Sequence, residues 1–210
     1  MRSHELALGY KEVEDPSITV RFKVAEVEDT YFLVWTTTPW TLPSNVALAV
    51  GKDFDYVRVR RGGETLILAE ARLAVLDIPG DDSGYEVLDK MKGADLLGRT
   101  YEQLLPYVSP GDARAFVVVE ADFVTLDSGT GIVHMAPAFG EDDFRVCQEK
   151  GMGFLQLLRP DGTFPDEVTD FAGRFCKEAD RDIIRNLRQR GALFKEEVYR
   201  HDYPFCWRAM

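Results

Sequence analysis

The sequence has 210 residues, of which 45% are hydrophobic and 29% are charged, values that are typical of one globular domain with a full hydrophobic core. No apolar run approaches the roughly 20 residues that a membrane-spanning helix needs, and the N-terminal residues lack the pattern of a signal peptide, so we expect a cytoplasmic protein and exclude a membrane partner. The formal net charge is −11, from 36 acidic and 25 basic residues, so the surface repels phosphate backbones and the chain by itself should bind RNA weakly.

The cysteine content gives no sign of a structural cross-link. The three cysteines, Cys147, Cys176 and Cys206, are far apart in sequence and odd in number, which indicates neither a disulfide framework nor a paired zinc site. We therefore expect reduced thiols, no metal and no cofactor. Because no internal repeat or low-complexity tract is present, the chain is interpreted as one domain over residues 1–210.

The first half of the chain reads as short strands joined by tight turns. Apolar and polar residues alternate over Ile18–Val24, which predicts a half-buried strand. Arg61-Gly62-Gly63 is typical of a hairpin turn between two further strands. The remaining strands of this half are predicted at Tyr31–Trp35, Val46–Val50, Tyr56–Arg60, Thr65–Leu68 and Tyr85–Met91, with a short helix at Ala69–Leu76. Short strands with tight turns favour a barrel.

The second half contains the two clearest helices. Residues Gly98–Gly111 are predicted as a surface excursion, because they contain two prolines. Strands are predicted at Phe116–Val119, Ile132–Met135 and Leu193–Tyr199, and helices from Glu141 to near Gly151 and over Cys176–Arg190. In the last helix Ala179, Ile183 and Leu187 recur every four residues and Gly191 stands at the position of a left-handed cap, so we assign this helix a packing role alone.

One stretch, Leu33–Asn45, has the sequence LVWTTTPWTLPSN and combines an apolar wall with hydroxyl groups. The strand runs into three consecutive threonines and is broken by Pro39, and a second break follows at Pro43. Since proline cannot donate a hydrogen bond to a sheet, the hydroxyls before it should stand at the mouth of the sheet as a polar shelf. The alternative is that threonine is simply a good strand former and that Ser44-Asn45 is turn chemistry.

A second block, Gly129–Phe144, has the sequence GTGIVHMAPAFGEDDF. Its glycines at 129 and 131 allow the backbone to approach a ligand closely. Its carboxylates open the predicted helix, and for Asp142 we favour a role in complementing the helix dipole.

These two blocks resemble the editing domain of isoleucyl-tRNA synthetase, a large insertion in the catalytic domain of that class I enzyme. They occur in the order expected for that family and lie about 90 residues apart. The valyl and leucyl relatives usually carry an arginine after the threonines. Here Thr38 occupies that place and Trp40 follows Pro39, which favours the isoleucyl branch.

The resemblance implies an α+β, mainly β fold, with a closed β-barrel core and peripheral helices. It also implies that residues 1–15 and 200–210 are connectors to a parent catalytic domain. The chain lacks the HIGH and KMSKS signatures with which class I synthetases bind ATP, so it should not aminoacylate. Family members often carry a second cysteine where this sequence has Ala209, so no zinc site through Cys206 is expected.

The implied activity is that of an aminoacyl-tRNA deacylase that hydrolyses misactivated or mischarged valine. Its substrates would be the acceptor end of valyl-tRNA(Ile) and valyl-adenylate, and its partner the rest of the parent synthetase; we expect a monomer. Two alternatives stay open: a valyl-type editing domain that clears threonine, and a non-catalytic tRNA-docking module. The docking module would need a basic groove with exposed aromatic residues, which the net charge of −11 argues against.

The resemblance also implies the residues of the site. Asp143 would hold the ammonium of the amino acid, since a charge-assisted hydrogen bond is about twice as strong as a neutral one. The carbonyl and the attacking water would be served by backbone amides of the second block and by the hydroxyls of Thr36, Thr37 and Thr38. Substrate-binding roles are implied for His134, Trp40, Thr41, Asn45, Gly131, Phe139 and Tyr203. Trp40, Phe139 and Tyr203 would form a platform for adenosine, and Asn45 would shape the threonine loop.

His134 has two interpretations. The resemblance implies that it lines the side-chain pocket and limits its depth, whereas its apolar sequence neighbours are equally typical of a hydrogen-bonded core histidine. No acid lies within strand reach of it, so a Ser-His-Asp arrangement has no support and direct attack by water is the simpler mechanism.

Overall fold

The computed structural model describes the backbone of residues 10–204 and the side chains of residues 16–198. Within that part, nine strands form one mixed sheet, and two α-helices and three 3₁₀ helices lie outside it. The strands are β1 Tyr10–Lys23, β2 Thr30–Thr36, β3 Ala47–Val50, β4 Asp55–Arg61, β5 Glu64–Ala69, β6 Glu86–Lys92, β7 Val117–Glu120, β8 Ile132–Met135 and β9 Leu193–Pro204. The helices are α1 Glu141–Glu149, α2 Cys176–Gln189 and the 3₁₀ helices Pro39–Ser44, Glu70–Leu76 and Gly93–Leu96.

The sheet curls into a half-barrel, and the predicted mainly β fold with peripheral helices is confirmed. Its strand order is β6-β4-β5-β2-β8-β3-β7, and β1 pairs with both β2 and β9. The path starts at β6 and ends at β7, and no pairing between these two strands closes the ring within residues 10–204.

Strands β1 and β9 form a long antiparallel ribbon. Its register runs from Tyr10 opposite Pro204 to Val20 opposite Leu193, so the two ends of the described chain lie side by side. The predicted connectors, residues 1–15 and 200–210, fall partly in this ribbon and partly outside the described residues. Their assignment as connectors stays a prediction.

The main hydrophobic core lies between the curled sheet and α2. It contains the fully buried rings of Phe22 and Phe32 together with Ile183 and Leu187. Burying each such side chain stabilises the fold by about 1.5–3 kcal/mol. Strand β1 departs from the predicted alternation, because Thr19 is also buried. Its strand is paired on both edges, by β2 and by β9.

Helix α2 shows the predicted packing and one feature that was not predicted. Ala179, Ile183 and Leu187 are buried, and Gly191 after the helix has a φ of 71°, the left-handed conformation that glycine adopts without strain. Asp180 is buried as well, and its Oδ1 accepts a hydrogen bond of 2.9 Å from the backbone N–H of Trp40. The assignment of a packing role alone was therefore wrong, since α2 also holds the segment that follows the three threonines.

That segment is the 3₁₀ helix Pro39–Ser44, where we predicted only breaks in the strand. Pro39 stands at its first positions, where the missing N–H of proline costs nothing, and proline fixes φ close to the helical value. The backbone N–H of Thr41 donates to the carbonyl of Thr38 at 3.0 Å, which closes the first turn. The two prolines therefore shape one compact turn after β2.

The segment Gly98–Gly111 contains no named strand or helix, as predicted, but it is not wholly a surface excursion. Tyr101 and Leu105 are both buried in the main core. Tyr101 also joins the sheet through isolated bridge pairing with Val24.

No helix among residues 10–204 is long and apolar enough to cross a membrane.

Candidate active site

The fold brings the two sequence blocks together at one edge of the sheet. Strands β2 and β8 run parallel with Trp35 opposite Val133, so the residues that come next at their carboxyl ends point to the same edge. The three threonines stand at the end of β2, and His134 and Ala136 lie at the end of β8. Two segments that are about 90 residues apart in sequence thus form the two walls of one site.

A cavity of about 290 Å³ opens between these walls. Its lining includes eight of the residues predicted from the sequence: Thr36, Thr37, Thr38, Thr41, Gly131, His134, Phe139 and Asp143. Trp35, Gly129, Thr130, Ile132, Val133 and Ala136, which belong to the same two blocks, also line it. Three further lining residues lie outside both blocks and were not identified from the sequence: Phe123, Thr125 and Ser128.

The threonine wall is a chain of hydroxyl groups. Thr36 Oγ1 accepts the backbone N–H of Thr38 at 3.1 Å and lies 3.3 Å from Thr38 Oγ1. Thr38 Oγ1 lies in turn 3.4 Å from Thr41 Oγ1. Each hydroxyl can both donate and accept a hydrogen bond, so this wall can serve a carbonyl oxygen and a water molecule at once.

His134 lines the cavity and is 8% exposed. Its Nε2 lies 2.8 Å from Thr41 Oγ1, and its Nδ1 lies 3.4 Å from Nδ2 of Asn45. Burial lowers the pKa of His134 to about 4, so the imidazole is neutral near pH 7. Both interpretations of this residue agree with part of the geometry, since it is hydrogen-bonded and buried yet also lines the cavity.

Asp143 supplies the negative charge of the site. It is in the first turn of α1, and its Oδ2 accepts the backbone N–H of Ala136 at 2.9 Å. Burial raises the pKa of this carboxyl above its usual value. The hydrogen bond ties α1 back to the end of β8, and Asp143 lines the same cavity as the three threonines. Its neighbour Asp142 is exposed and pairs with Arg145 at 3.5 Å.

Of the three residues predicted to form the adenosine platform, only Phe139 is among the described residues that line the cavity. Phe139 lines the cavity, and the ring of Trp40 packs edge-on against it with centroids 5.0 Å apart. Trp40 itself is not among the described lining residues, and its Nε1 is buried without a hydrogen-bond partner among the side chains described. The side chain of Tyr203 lies outside the described residues. Its proposed role stays a prediction.

Gly131 is required by crowding that the sequence did not reveal. Its φ is 76°, and a Cβ at this position would lie 2.4 Å from the Cβ of Ala69. Its carbonyl accepts a hydrogen bond of 2.6 Å from the hydroxyl of Tyr56. We predicted that glycine here allows close approach to a ligand, and the close approach seen in the structure is to strand β5. The next amide, of Ile132, donates to Thr130 Oγ1 at 3.3 Å and is thus engaged within the loop.

A second and larger cavity, of about 400 Å³, lies near Lys52 and α1. Its basic groups are paired with carboxylates: Lys150 with Glu120 at 3.0 Å and Arg145 with Asp122 at 3.1 Å. Its lining contains no Ser or Thr residue, so the smaller cavity is the candidate active site. Among the described residues, no group of three or more His, Cys, Asp or Glu side chains has the arrangement of a metal site.

Comparisons with known proteins agree with this geometry. No protein-family model matches the sequence. The chain is 50% identical over 208 residues to an isoleucine-tRNA ligase of Clostridium acetobutylicum, 49% identical over 212 residues to that of Bdellovibrio bacteriovorus, and 47% identical over 221 residues to that of Tetrahymena thermophila. These matches cover 99%, 100% and 100% of this chain but 20% of each relative. The chain thus spans about a fifth of the length of the relatives it matches.

Solved structures show the same architecture. A leucyl-tRNA synthetase CP1 structure (GlLeuRS-CP1) superimposes with a TM-score of 0.68 at 17% identity, over 85% of this chain and 96% of that chain. The editing domain of the cytosolic leucyl-tRNA synthetase of P. knowlesi gives a TM-score of 0.64 at 12% identity, over 93% of this chain and 98% of that one.

The fold therefore has the architecture of aminoacyl-tRNA synthetase editing domains. In sequence, the chain is similar to a segment of isoleucine-tRNA ligases that makes up about 20% of their length. The resemblance inferred from the two sequence blocks is confirmed.

Proposed function

We propose that this chain is an editing hydrolase that removes valine from tRNA(Ile). The observation that supports the proposal is the cavity itself, whose lining combines the Asp143 carboxylate with Thr36 and Thr38, two residues whose hydroxyl oxygens lie 3.3 Å apart. An amino acid esterified to the end of a tRNA presents an ammonium and a carbonyl close together. The carboxylate can bind the ammonium, and the hydroxyls can donate hydrogen bonds to the carbonyl.

Asp143 would bind the ammonium. It is the one carboxylate among the described residues that line the cavity, and one of its oxygens is already held by the N–H of Ala136. A carboxylate whose position is fixed in advance loses little entropy when the ammonium arrives. The partly buried position also strengthens the ion pair, because the local dielectric is lower than in water.

Water, and not a protein nucleophile, would attack the ester. The contact of 2.8 Å between Thr41 Oγ1 and His134 Nε2 has the distance of a nucleophile and its base. However, the same Thr41 hydroxyl donates to the carbonyl oxygen of Thr38 at 2.8 Å, so the imidazole nitrogen facing it must be the donor. A nitrogen that carries a proton cannot accept another, which leaves the threonine hydroxyls to orient a water molecule.

Selectivity for valine would come from the size of the pocket. One methylene contributes only about 1–3 kcal/mol of discrimination, which is the established figure for isoleucine against valine. The aminoacylation site of a synthetase therefore cannot reject valine well enough by itself. A second site that admits valine and excludes isoleucine solves that problem. His134, which is buried, hydrogen-bonded and part of the cavity lining, is the residue that we propose limits its depth.

The partners follow from the same proposal. The substrates are the acceptor end of valyl-tRNA(Ile) and valyl-adenylate, and the rest of a parent synthetase delivers them, since a chain with net charge −11 attracts RNA poorly. We further propose that the chain acts as a monomer in the cytoplasm and does not aminoacylate. A valyl-type domain that clears threonine is the nearest alternative, and Thr38 in place of arginine is the feature against it.

A deacylation assay of the chain tests the proposal. We expect hydrolysis of valyl-tRNA(Ile) above the spontaneous rate, with isoleucyl-tRNA(Ile) and threonyl-tRNA(Val) left intact. Preferential hydrolysis of threonyl-tRNA(Val) would favour the valyl-type alternative. Tight tRNA binding with no hydrolysis of any of the three would favour a docking module.

A further inference from the structure

A buried tyrosine outside the cavity is connected to it by hydrogen bonds. Tyr101 is in the segment that links β6 to β7 in sequence, and it is 3% exposed. Its ring packs edge-on against Phe22 and Phe116, with centroids 5.5 Å and 5.9 Å away, so its position is fixed. Its hydroxyl donates to Oδ1 of Asn45 at 2.6 Å. Burial raises the pKa of Tyr101 well above its usual value, so the phenol keeps its proton.

The orientation of the Asn45 amide is set by its partners. Nδ2 donates to the carbonyl oxygen of Ala47 at 2.9 Å, and a carbonyl can only accept, so the nitrogen must be on that side. The oxygen is on the other side, where Tyr101 donates to it. The same Nδ2 lies 3.4 Å from Nδ1 of His134 and 3.5 Å from the carbonyl oxygen of Met135, so these two acceptors share its second N–H.

This orientation decides which nitrogen of His134 carries its proton. Because Nδ1 faces an N–H donor, it must be the bare nitrogen, and the proton of the neutral ring is on Nε2. Nε2–H then donates to Thr41 Oγ1 at 2.8 Å, and the hydroxyl of Thr41 donates to the carbonyl of Thr38 at 2.8 Å. Each donor in this series faces an acceptor.

We propose that Tyr101 is a positioning residue of the cavity: through the Asn45 amide it fixes the tautomer and ring orientation of His134, and through His134 it fixes Thr41 against the threonine loop. The connection starts in the core and ends at the two walls of the site. Its consequence for selectivity depends on the editing function proposed above, whereas its consequence for the tautomer does not.

Removing the phenol hydroxyl should release the amide. In Tyr101→Phe the Asn45 oxygen loses its donor. The carbonyl of Ala47 keeps Nδ2 on its present side, so the amide shifts without reversing, and its second N–H can leave His134 for the carbonyl oxygen of Met135. Nδ1 of His134 then lacks a donor, which admits a proton on Nδ1 with Nε2 as an acceptor for the Thr41 hydroxyl. The hydrogen bond from Thr41 to Thr38 would then be lost, and the threonine loop would loosen beside the substrate.

The tautomer is measured by nitrogen NMR of isotope-labelled histidine in the whole chain, assigned with a His134→Gln variant. We expect the wild type to carry its proton on Nε2, and Tyr101→Phe to shift the two ring nitrogens towards each other, as a mixture of tautomers requires. Tyr107→Phe is the matched control, since Tyr107 is in the same segment and its hydroxyl also donates, to Asp170 at 2.6 Å, away from the cavity. It should leave the His134 signals unchanged.

Two results would overturn the proposal. One is a proton on Nδ1 in the wild type, a measurement that needs no variant at position 101. The other is a folded Tyr101→Phe chain, judged by its melting curve, with the wild-type tautomer.

Deacylation supplies the second readout. Tyr101→Phe should reduce the preference for valyl-tRNA(Ile) over isoleucyl-tRNA(Ile) about tenfold, while Tyr107→Phe keeps it, because an unsatisfied buried acceptor destabilises the ordered arrangement of the site. An altered tautomer with unchanged preference would refute the role in selectivity. A wild-type chain that deacylates neither tRNA would refute the proposed function and leave the tautomer result to decide on Tyr101.

Discussion

The side chain of His134 is neutral because it is buried among groups that do not compensate a positive charge. Its ring nitrogens contact Thr41 and Asn45, both neutral, at 2.8 Å and 3.4 Å. Desolvation is the cause of its lowered pKa. The same burial gives this residue two measurable consequences, one for stability and one for selectivity.

The stability consequence is a dependence on pH. The pKa of His134 is about 4 in the folded chain, against an ordinary value of 6.5 when unfolded, so the unfolded state binds more protons between these values. The stabilisation is fully present above pH 6.5 and is lost as the pH falls to about 4, which amounts to about 3 kcal/mol. Urea unfolding of wild type and His134→Gln across this range measures it. Equal pH slopes for the two chains would contradict a lowered pKa.

The selectivity consequence concerns the depth of the pocket. His134→Ala should open room for the one methylene that separates isoleucine from valine, so isoleucyl-tRNA(Ile) should become a substrate. Valyl-tRNA(Ile) should still be hydrolysed, since Asp143 and the threonines are unchanged. A purely structural histidine predicts instead a destabilised domain with unchanged preference. Deacylation of both tRNAs beside a melting curve separates the two outcomes.

At the scale of secondary-structure elements, the junction before β8 depends on Gly131. A Cβ at this position would lie 2.4 Å from Ala69 and the backbone is left-handed, so Gly131→Ala should lower the free energy of unfolding by about 2–5 kcal/mol. Gly191→Ala is the control, because its φ of 71° is similar and nothing lies within 4 Å of its Cβ position. It should cost about 1–2 kcal/mol. Equal losses measured by urea unfolding would mean that the contact with Ala69 is relieved.

The elements that sequence periodicity predicted were those whose pattern is local. Helix α2 and the hairpin of β4 and β5 were predicted from residues within one turn or one strand of each other. The 3₁₀ helix Pro39–Ser44 was missed, because prolines signal the end of a strand and are compatible with several conformations beyond it. Asp180 was missed because a single carboxylate on a helix is normally solvated, and its partner, the N–H of Trp40, is 140 residues away in sequence.

The candidate site shows the same division. The threonines, His134 and Asp143 belong to two blocks that are distinctive enough to be recognised, and the structure brings them to one cavity. Phe123 and Thr125 also line it, but they stand in the irregular segment between β7 and β8, which has no sequence pattern of its own. Tyr101 had no local signal either, since its segment is irregular and its contacts are all long-range.

At the scale of the whole molecule, the net charge of the chain should determine how strongly it binds tRNA and how that affinity depends on salt. A protein that binds RNA through phosphate contacts loses affinity steeply as salt rises. With 36 acidic and 25 basic residues, this chain should instead show a KM for valyl-tRNA(Ile) that is high and does not rise between about 50 and 200 mM salt. Deacylation kinetics at several salt concentrations measure this. A KM that rises more than about tenfold over that range would reveal a phosphate-binding surface that the net charge conceals.

The central claim is that the cavity between the threonine wall and Asp143 is the hydrolytic site. Asn at position 143 can still accept the N–H of Ala136 but carries no charge to balance an ammonium. Asp142→Asn is the matched control, since Asp142 is exposed and pairs with Arg145.

The deciding measurement is deacylation of valyl-tRNA(Ile) by Asp143→Asn and by Asp142→Asn, each with a melting curve. We expect Asp143→Asn to lose about 1–3 kcal/mol of transition-state stabilisation, roughly tenfold to a hundredfold in rate, with its melting temperature unchanged. Asp142→Asn should keep the wild-type rate. Wild-type deacylation by a well-folded Asp143→Asn chain would contradict the claim.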